Sequence, residues 1–150
     1  MWFRVDNRLI HGQVIEGWLP YTGAAHLIVA NDALAEDLLR QQIMSLAIPH
    51  HVDVRFVPLK DLAGTLKECG DESFVLFENL QDVRTAARSG VTLNVLNIGN
   101  LHYGAGKKQL CTHVAVSEDD MAELVSGQGT ELDFRAVPLE PEKIPDEFVL

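Results

Sequence analysis

Arg8 and His11 stand three residues apart in the run Val5-Asp6-Asn7-Arg8-Leu9-Ile10-His11-Gly12-Gln13-Val14-Ile15-Glu16, and together they have the makings of a phosphate site. Near neutral pH an imidazole keeps a neutral, nucleophilic fraction because its unperturbed pKa is about 6.5, and an N–P bond formed on it stays labile enough to pass phosphate onward. Histidine therefore suits a relay better than a dead end. A guanidinium spreads its donors in a planar fork that matches phosphate oxygens and holds the group through a loose transition state. Asp6 has two readings: it accepts the proton on the other imidazole nitrogen and so fixes the tautomer, or it serves as a turn or capping residue. Gly12 either leaves room where a phosphoryl donor must approach or makes a tight turn. Gln13 either donates to phosphate or is an exposed residue of a first helical turn.

These residues need a particular setting. An extended apolar start (Trp2, Phe3, Val5) gives way to a helix-like stretch through Val14, Ile15 and Trp18. A strand that turns directly into a helix gathers backbone N–H groups and the positive end of the helix dipole at the junction, which suits a phosphate. Further short apolar, β-branched runs fall at 26–30, 52–57, 73–77, 93–98 and 113–116, giving six strand candidates with the opening run. Between them, Leu39, Ile43 and Leu46, and again Leu80, Val83 and Ala87, recur at helical spacing and predict one apolar face each. Asp32, Asn79 with Asp82, and Ser117 with Asp120 stand where N-caps are wanted, and Gly90 and Gly127 where helices stop.

Repeated strand and helix units predict an α/β fold, an open, mostly parallel twisted sheet of about six to seven strands with helices on both faces. The last run, 131–137, alternates polar and apolar residues after a short loop and is expected to be an antiparallel edge strand. The tail 138–145 is expected to be irregular. In such sheets ligands bind beyond the carboxyl ends of the strands. The loops 6–12, 78–80 and 99–108 are therefore the candidate binding edge.

Composition narrows the function. The chain has 150 residues and is 47% hydrophobic, which is enough apolar material for one buried core and points to a single domain over 1–150. Its formal net charge of −10 would repel nucleic acid and anionic membrane surfaces. No apolar run approaches the roughly 18 residues of a membrane span, and Met1-Trp2-Phe3-Arg4 has no signal-peptide character, so a cytoplasmic protein without membrane insertion is expected. Cys69 and Cys111 form no CxxC pair and read as free thiols. His50 with His51, and Cys111 with His113, lack the further ligands of a closed metal site, so no metal is expected. Gly104-Ala105-Gly106-Lys107-Lys108 fails as a nucleotide-binding P-loop, having Leu101 where the first glycine belongs and Lys108 where Ser or Thr would bind magnesium.

The stretch Arg4-Val5-Asp6-Asn7-Arg8-Leu9-Ile10-His11-Gly12-Gln13-Val14 closely resembles the active-site signature of the enzyme IIB components of the mannose/fructose/sorbose branch of the bacterial phosphotransferase system (PTS). The segments 31–35, 77–83 and 97–101, followed by Gly106-Lys107, resemble later strand-to-helix turns and a glycine-containing loop of the same family. The resemblance implies a phosphocarrier that takes a phosphoryl group from a phosphohistidine of a IIA partner onto His11, with Nδ1 as acceptor atom. It would then deliver the group to the 6-hydroxyl of a hexose held by the membrane components IIC and IID. By the same resemblance Arg8 binds the phosphoryl oxygens, and neither metal nor nucleotide is required. Many relatives carry two aspartates where this chain has Asp6-Asn7. Two other roles fit the same residues: a regulatory phosphohistidine relay not coupled to sugar uptake, and a non-catalytic binding module on the same fold.

Overall fold

A computed structural model of the chain describes residues 1–126, 129–142 and 144–148, with the backbone alone at 125, 126 and 147. Strands β1 (Trp2–Val5), β2 (His26–Ala30), β3 (Asp53–Val57), β4 (Ser73–Phe77) and β5 (Val95–Ile98) are followed by a hairpin of β6 (Lys107–Cys111) and β7 (Val114–Ser117), and then by β8 (Glu131–Asp133). Six of them form one sheet in the order β3-β2-β4-β1-β5-β8, and every pairing in it is parallel. β4 is buried along its whole length because it lies inside a sheet covered on both faces, which is why Ser73-Phe74-Val75-Leu76-Phe77 shows no alternation.

Alternate residues of the central strands feed two cores. Phe3, Val5, Ile28, Val75 and Phe77 pack with Leu62 and Leu66 of α4 (Leu62–Cys69) and with Leu80 and Ala86 of α5 (Leu80–Arg88). Leu27, Val29, Phe74 and Leu76 pack on the other face with Val14, Trp18, Leu19 and Leu34. The segment after β1 opens with a wide, π-type helix over Gln13–Trp18 that runs into α1 (Leu19–Thr22) and stops at Gly23, whose φ is 63°. Pro20 follows the wide turn; it has no N–H for an α-helical ladder and crowds the carbonyl four positions back, so the wider turn relieves a clash.

Several expectations need correction. The last strand is parallel to β5, not antiparallel, because α6 (Glu118–Ser126) crosses back between β7 and β8. It is also short: it ends at Asp133, whose carboxylate turns to bind Arg135. The run 113–116 leaves the main sheet for the hairpin with β6, which sequence reading places in a loop since Lys107-Lys108-Gln109 carries no apolar pattern. The helix expected from Leu39, Ile43 and Leu46 exists as α3 (Leu38–Ser45), but its apolar face is 59–86% exposed at these three residues. In α5 the buried alanine is Ala86, with Ala87 exposed. Asn31, one residue before the expected Asp32, caps α2 (Asp32–Ala35) by accepting from the Leu34 amide, while Asp32 accepts from the Leu59 amide. Asn79 and Ser117 cap as expected. Gly127 lies outside the described residues.

Candidate functional site

The register brings three loops to one point. Val5 is level with Phe77 on one side and Ile98 on the other, so the chain leaves β1, β4 and β5 at the same height. From β1 it departs towards β2, and from β5 towards β8, in opposite directions along the sheet. Such a divergence leaves the crevice where open α/β sheets bind ligands. The loop after β1 is fastened to both neighbours: the Asp6 amide donates to Phe77 O (2.8 Å) and the Asn7 amide to Asn100 O (2.7 Å).

Asn7 completes the fastening through its side chain. Nδ2 donates to Glu78 O (2.6 Å) and Oδ1 accepts from the His102 amide (2.8 Å). Only an amide supplies both a donor and an acceptor here; a carboxylate would face the Glu78 carbonyl with no proton to give. The departure from a second aspartate thus has a structural meaning, a bridge between the two flanking loops. Leu9 then turns the chain with φ at 55°, the one non-glycine residue with positive φ among the described residues. That conformation costs about 1–2 kcal/mol, and burial of its side chain, 2% exposed, offsets a cost of that size.

The turn returns His11 towards Asp6. His11 Nε2 lies 2.7 Å from Asp6 Oδ2, and the carboxylate is fully buried. The same oxygen accepts from Arg4 Nε (3.1 Å), Arg4 Nη2 (2.9 Å) and Asn100 Nδ2 (2.9 Å), while Oδ1 accepts from the Arg8 amide (2.9 Å). Asp6 is therefore both the partner of the imidazole and a turn residue, so its two readings coincide. Burial alone would raise its carboxyl pKa; the His11 hydrogen bond, the Arg4 charge, Asn100 and the Arg8 amide outweigh burial and hold it below the usual range. An ionised Asp6 keeps the proton on Nε2 and leaves Nδ1 with its lone pair, and Nδ1 makes no hydrogen bond among the described residues.

Arg4 and Asn100 join the site without being marked by the sequence pattern. Arg4 is wholly buried, with its remaining nitrogen, Nη1, directed at Asn97 Oδ1 and Arg135 O and its guanidinium over the Trp18 ring at 5.4 Å. A Cβ on Gly99 would collide with that guanidinium, so glycine is required there. Asn100 could have been suspected from its loop; Arg4 could not, because a charged residue on a strand otherwise reads as solvent-facing. Asn100 Nδ2 also donates to Gln13 Oε1 (2.9 Å), which leaves the Gln13 amide group as a donor.

The remaining candidates sit at the rim. Arg8 is exposed and its side chain makes no hydrogen bond or ion pair among the described residues. Gly12 has ordinary right-handed helical angles, φ −51° and ψ −45°, so no tight turn demands glycine, and a Cβ there would meet nothing within 4 Å. Its missing side chain leaves clearance towards solvent. Gly12→Ala is accordingly expected to leave thermal stability unchanged or slightly raised. The same variant should accept phosphoryl from a protein donor more slowly than wild type, while a small-molecule donor such as phosphoramidate labels both equally.

An acidic group flanks the same edge. Asp82 in the first turn of α5 has its carboxyl raised to about 6, by burial first and then by Glu78 and Asp32. A raised acid binds its proton more tightly in the folded chain, so stability falls as pH rises from about 4 to about 6 and the cost persists above that. Asp82→Asn is expected to gain about 1 kcal/mol at pH 7.5, after discounting for partial exposure, and nothing below about pH 4. Urea unfolding at the two pH values reads the difference.

The fold and the site define an α/β domain that presents a histidine, oriented by a buried carboxylate, at the carboxyl edge of a parallel sheet. The family described as PTS system sorbose subfamily IIB component matches residues 1–149. Among characterised relatives, the N-acetylgalactosamine-specific phosphotransferase enzyme IIB component 2 of Escherichia coli K12 is 35% identical over 142 residues, covering 92% of this chain and 90% of its own. The sorbose-specific EIIB component of Klebsiella pneumoniae is 35% identical, covering 92% and 87%. In the solved IIB domain of the Klebsiella pneumoniae sorbose permease the fold superposes with a TM-score of 0.83 at 33% identity over 95% of this chain and 90% of that one. An N-acetylgalactosamine IIB component from Streptococcus pyogenes gives 0.86 at 27% identity, covering 94% and 90%. The chain belongs to the sorbose subfamily of PTS IIB components, and its role is that of a phosphocarrier in a sugar phosphotransferase system.

Proposed function

We propose that His11 is the phosphoryl-carrying residue, that it is charged by the phosphohistidine of a IIA protein, and that it delivers the group to a hexose held by IIC and IID membrane components. The observation that carries the reading is the 2.7 Å bond from His11 Nε2 to a buried, ionised Asp6, which leaves Nδ1 as the unbonded nucleophile. As the donor N–P bond breaks, the Nδ1 lone pair forms the new one and Nε2 keeps its proton, so the ring gains positive charge. Asp6 stabilises that charge, while Arg4 neutralises Asp6 and spares the incoming phosphoryl oxygens a repulsive neighbour. Arg8 at the rim grips those oxygens, with Gln13 as a further donor. On delivery the sugar oxygen bonds to phosphorus, the N–P electrons return to Nδ1, and the proton of the sugar hydroxyl passes to water.

One relative, the mannose-specific EIIAB component of Escherichia coli K12, carries IIA in the same polypeptide; this chain covers 45% of it at 31% identity, which supports a IIA partner. No helix of the described residues is long and apolar enough to cross a membrane, in keeping with a carrier that works in the cytoplasm. The test is incubation with phosphoenolpyruvate, enzyme I, HPr and the cognate IIA. The expected label is acid-labile, base-stable and mapped by peptide sequencing to His11. Addition of membranes bearing IIC and IID should discharge it into sugar phosphate. A label without sugar phosphate would favour a regulatory relay, and an unlabelled protein a binding module.

A further inference from the structure

At the opposite edge of the sheet the fold gathers three residues that are far apart in sequence and that phosphoryl transfer does not use. His26 opens β2, Asp53 opens β3 beside it in register, and Cys69 ends α4. The ligand atoms of all three, one nitrogen, one oxygen and one sulfur, lie within 4.8 Å of one another. We propose that His26, Asp53 and Cys69 bind a zinc-like divalent cation, with a water in the fourth position.

The donor set is the first argument. A borderline-soft cation takes imidazole, carboxylate and thiolate at about 2.0–2.3 Å, which places tetrahedral ligand atoms roughly 3.3–3.6 Å apart. His26 Nδ1 and Asp53 Oδ2 are already 2.9 Å apart, so replacing the shared proton by a cation moves that pair by only a few tenths of an ångström. The thiol must close by no more than about 1.2–1.5 Å, from the end of a helix. Thiolate and carboxylate together neutralise a divalent ion, and the net charge of −10 favours its approach.

Arg55 is the group that opposes the site, since its Nε donates to Asp53 Oδ2 (3.0 Å). Its Nη1 also holds Glu68 (2.9 Å), so the guanidinium has a second anchor if the carboxylate turns to a cation. Both Arg55 and Glu68 are solvent-exposed and can rearrange cheaply. A cation binds Cys69 as the thiolate and so displaces its proton, and affinity should rise with pH.

The experiment is titration of the reduced, chelator-treated protein with Co²⁺ in the absence of oxygen, followed by competition with Zn²⁺. Tetrahedral cobalt bands in the visible and a sulfur-to-cobalt charge-transfer band in the near ultraviolet are expected, both erased by Zn²⁺. The charge-transfer band should vanish in Cys69→Ser and weaken at least about tenfold in apparent affinity in His26→Gln and Asp53→Asn. It should persist in Cys111→Ser, a control needed because Cys111 Sγ lies 4.0 Å from His113 Nε2. Circular dichroism of each variant checks that the fold is intact. No charge-transfer band in the wild type, or one that survives Cys69→Ser, would overturn the site. The readout is independent of phosphoryl transfer.

Discussion

Asp6→Asn is expected to transfer phosphoryl groups on the order of 10²–10⁴-fold more slowly than wild type, by comparison with the matching change in the serine-protease triad. The reason is a count of protons. Asp6 Oδ2 receives four N–H groups and Oδ1 one. An asparagine supplies one oxygen and two N–H hydrogens, so one rotamer turns its amide nitrogen against Arg4, Asn100 and the imidazole, and the other against the Arg8 amide. In the first rotamer an N–H faces His11 Nε2, which drives the ring proton to Nδ1 and blocks the nucleophile. In the second the tautomer survives but the loop loses its turn, and the ring's growing positive charge has no counter-ion. The change also strands a fully buried Arg4, and breaking such a pair from one side costs about 3–5 kcal/mol.

Stability and transfer separate in the double variant. With Arg4→Met added, the stranded charge is gone and much of the stability should return, since replacing both members of a buried pair is often neutral. Transfer should stay low, because nothing restores the carboxylate beside Nε2. Denaturant unfolding and rapid-quench phosphotransfer on the two single variants and the double one complete the cycle. An Asp6→Asn protein that retained a tenth of the wild-type rate would remove Asp6 from the mechanism.

The parts of the fold visible in the sequence are those governed by local pattern. β1, β2 and β4 fall where apolar runs are bounded by polar turns, and the helix caps Asn79 and Ser117 announce themselves by spacing. What was not visible depends on crossovers and on single long-range partners. The direction of β8 is set by a helix that precedes it, so its alternating residues mark only an edge strand with one wet face. The amphipathic pattern of α3 correctly gives a helix, yet the stripe of Leu39, Ile43 and Leu46 is left outside the core, since α3 turns Met44 and not that stripe towards the cluster that holds Leu34. Periodicity states that a helix has a face, not what covers it.

The site divides in the same way. His11, Asp6 and Arg8 are legible because they crowd into one strand-to-helix turn. Arg4 and Asn100 are not, because the importance of Arg4 rests on its burial and on Asn97 across the sheet, and that of Asn100 on Asp6 and Gln13, both distant in sequence. Gly99 is legible only afterwards, as the absence of a side chain where a guanidinium must lie.

Arg8→Ala tests the other half of the site, the part we propose meets the phosphoryl group. Its guanidinium is exposed and holds no partner among the described residues, so its removal should change stability by no more than about 0.5 kcal/mol. The transfer rate should nonetheless fall roughly a hundredfold or more, about 2.7–4 kcal/mol of transition-state stabilisation lost with one preorganised donor group. Arg8→Lys should recover only part of it, since an ammonium keeps the charge without the planar fork that spans two oxygens. Because the residue is exposed, part of its effect is long-range attraction of a dianion, which salt weakens. The wild-type rate should therefore decline with ionic strength more steeply than that of Arg8→Ala. Rapid-quench transfer from phosphorylated IIA at low and high salt measures both effects. An alanine variant as fast as wild type would show that the phosphoryl oxygens are gripped elsewhere, with the amide of Gln13 as the next group to remove.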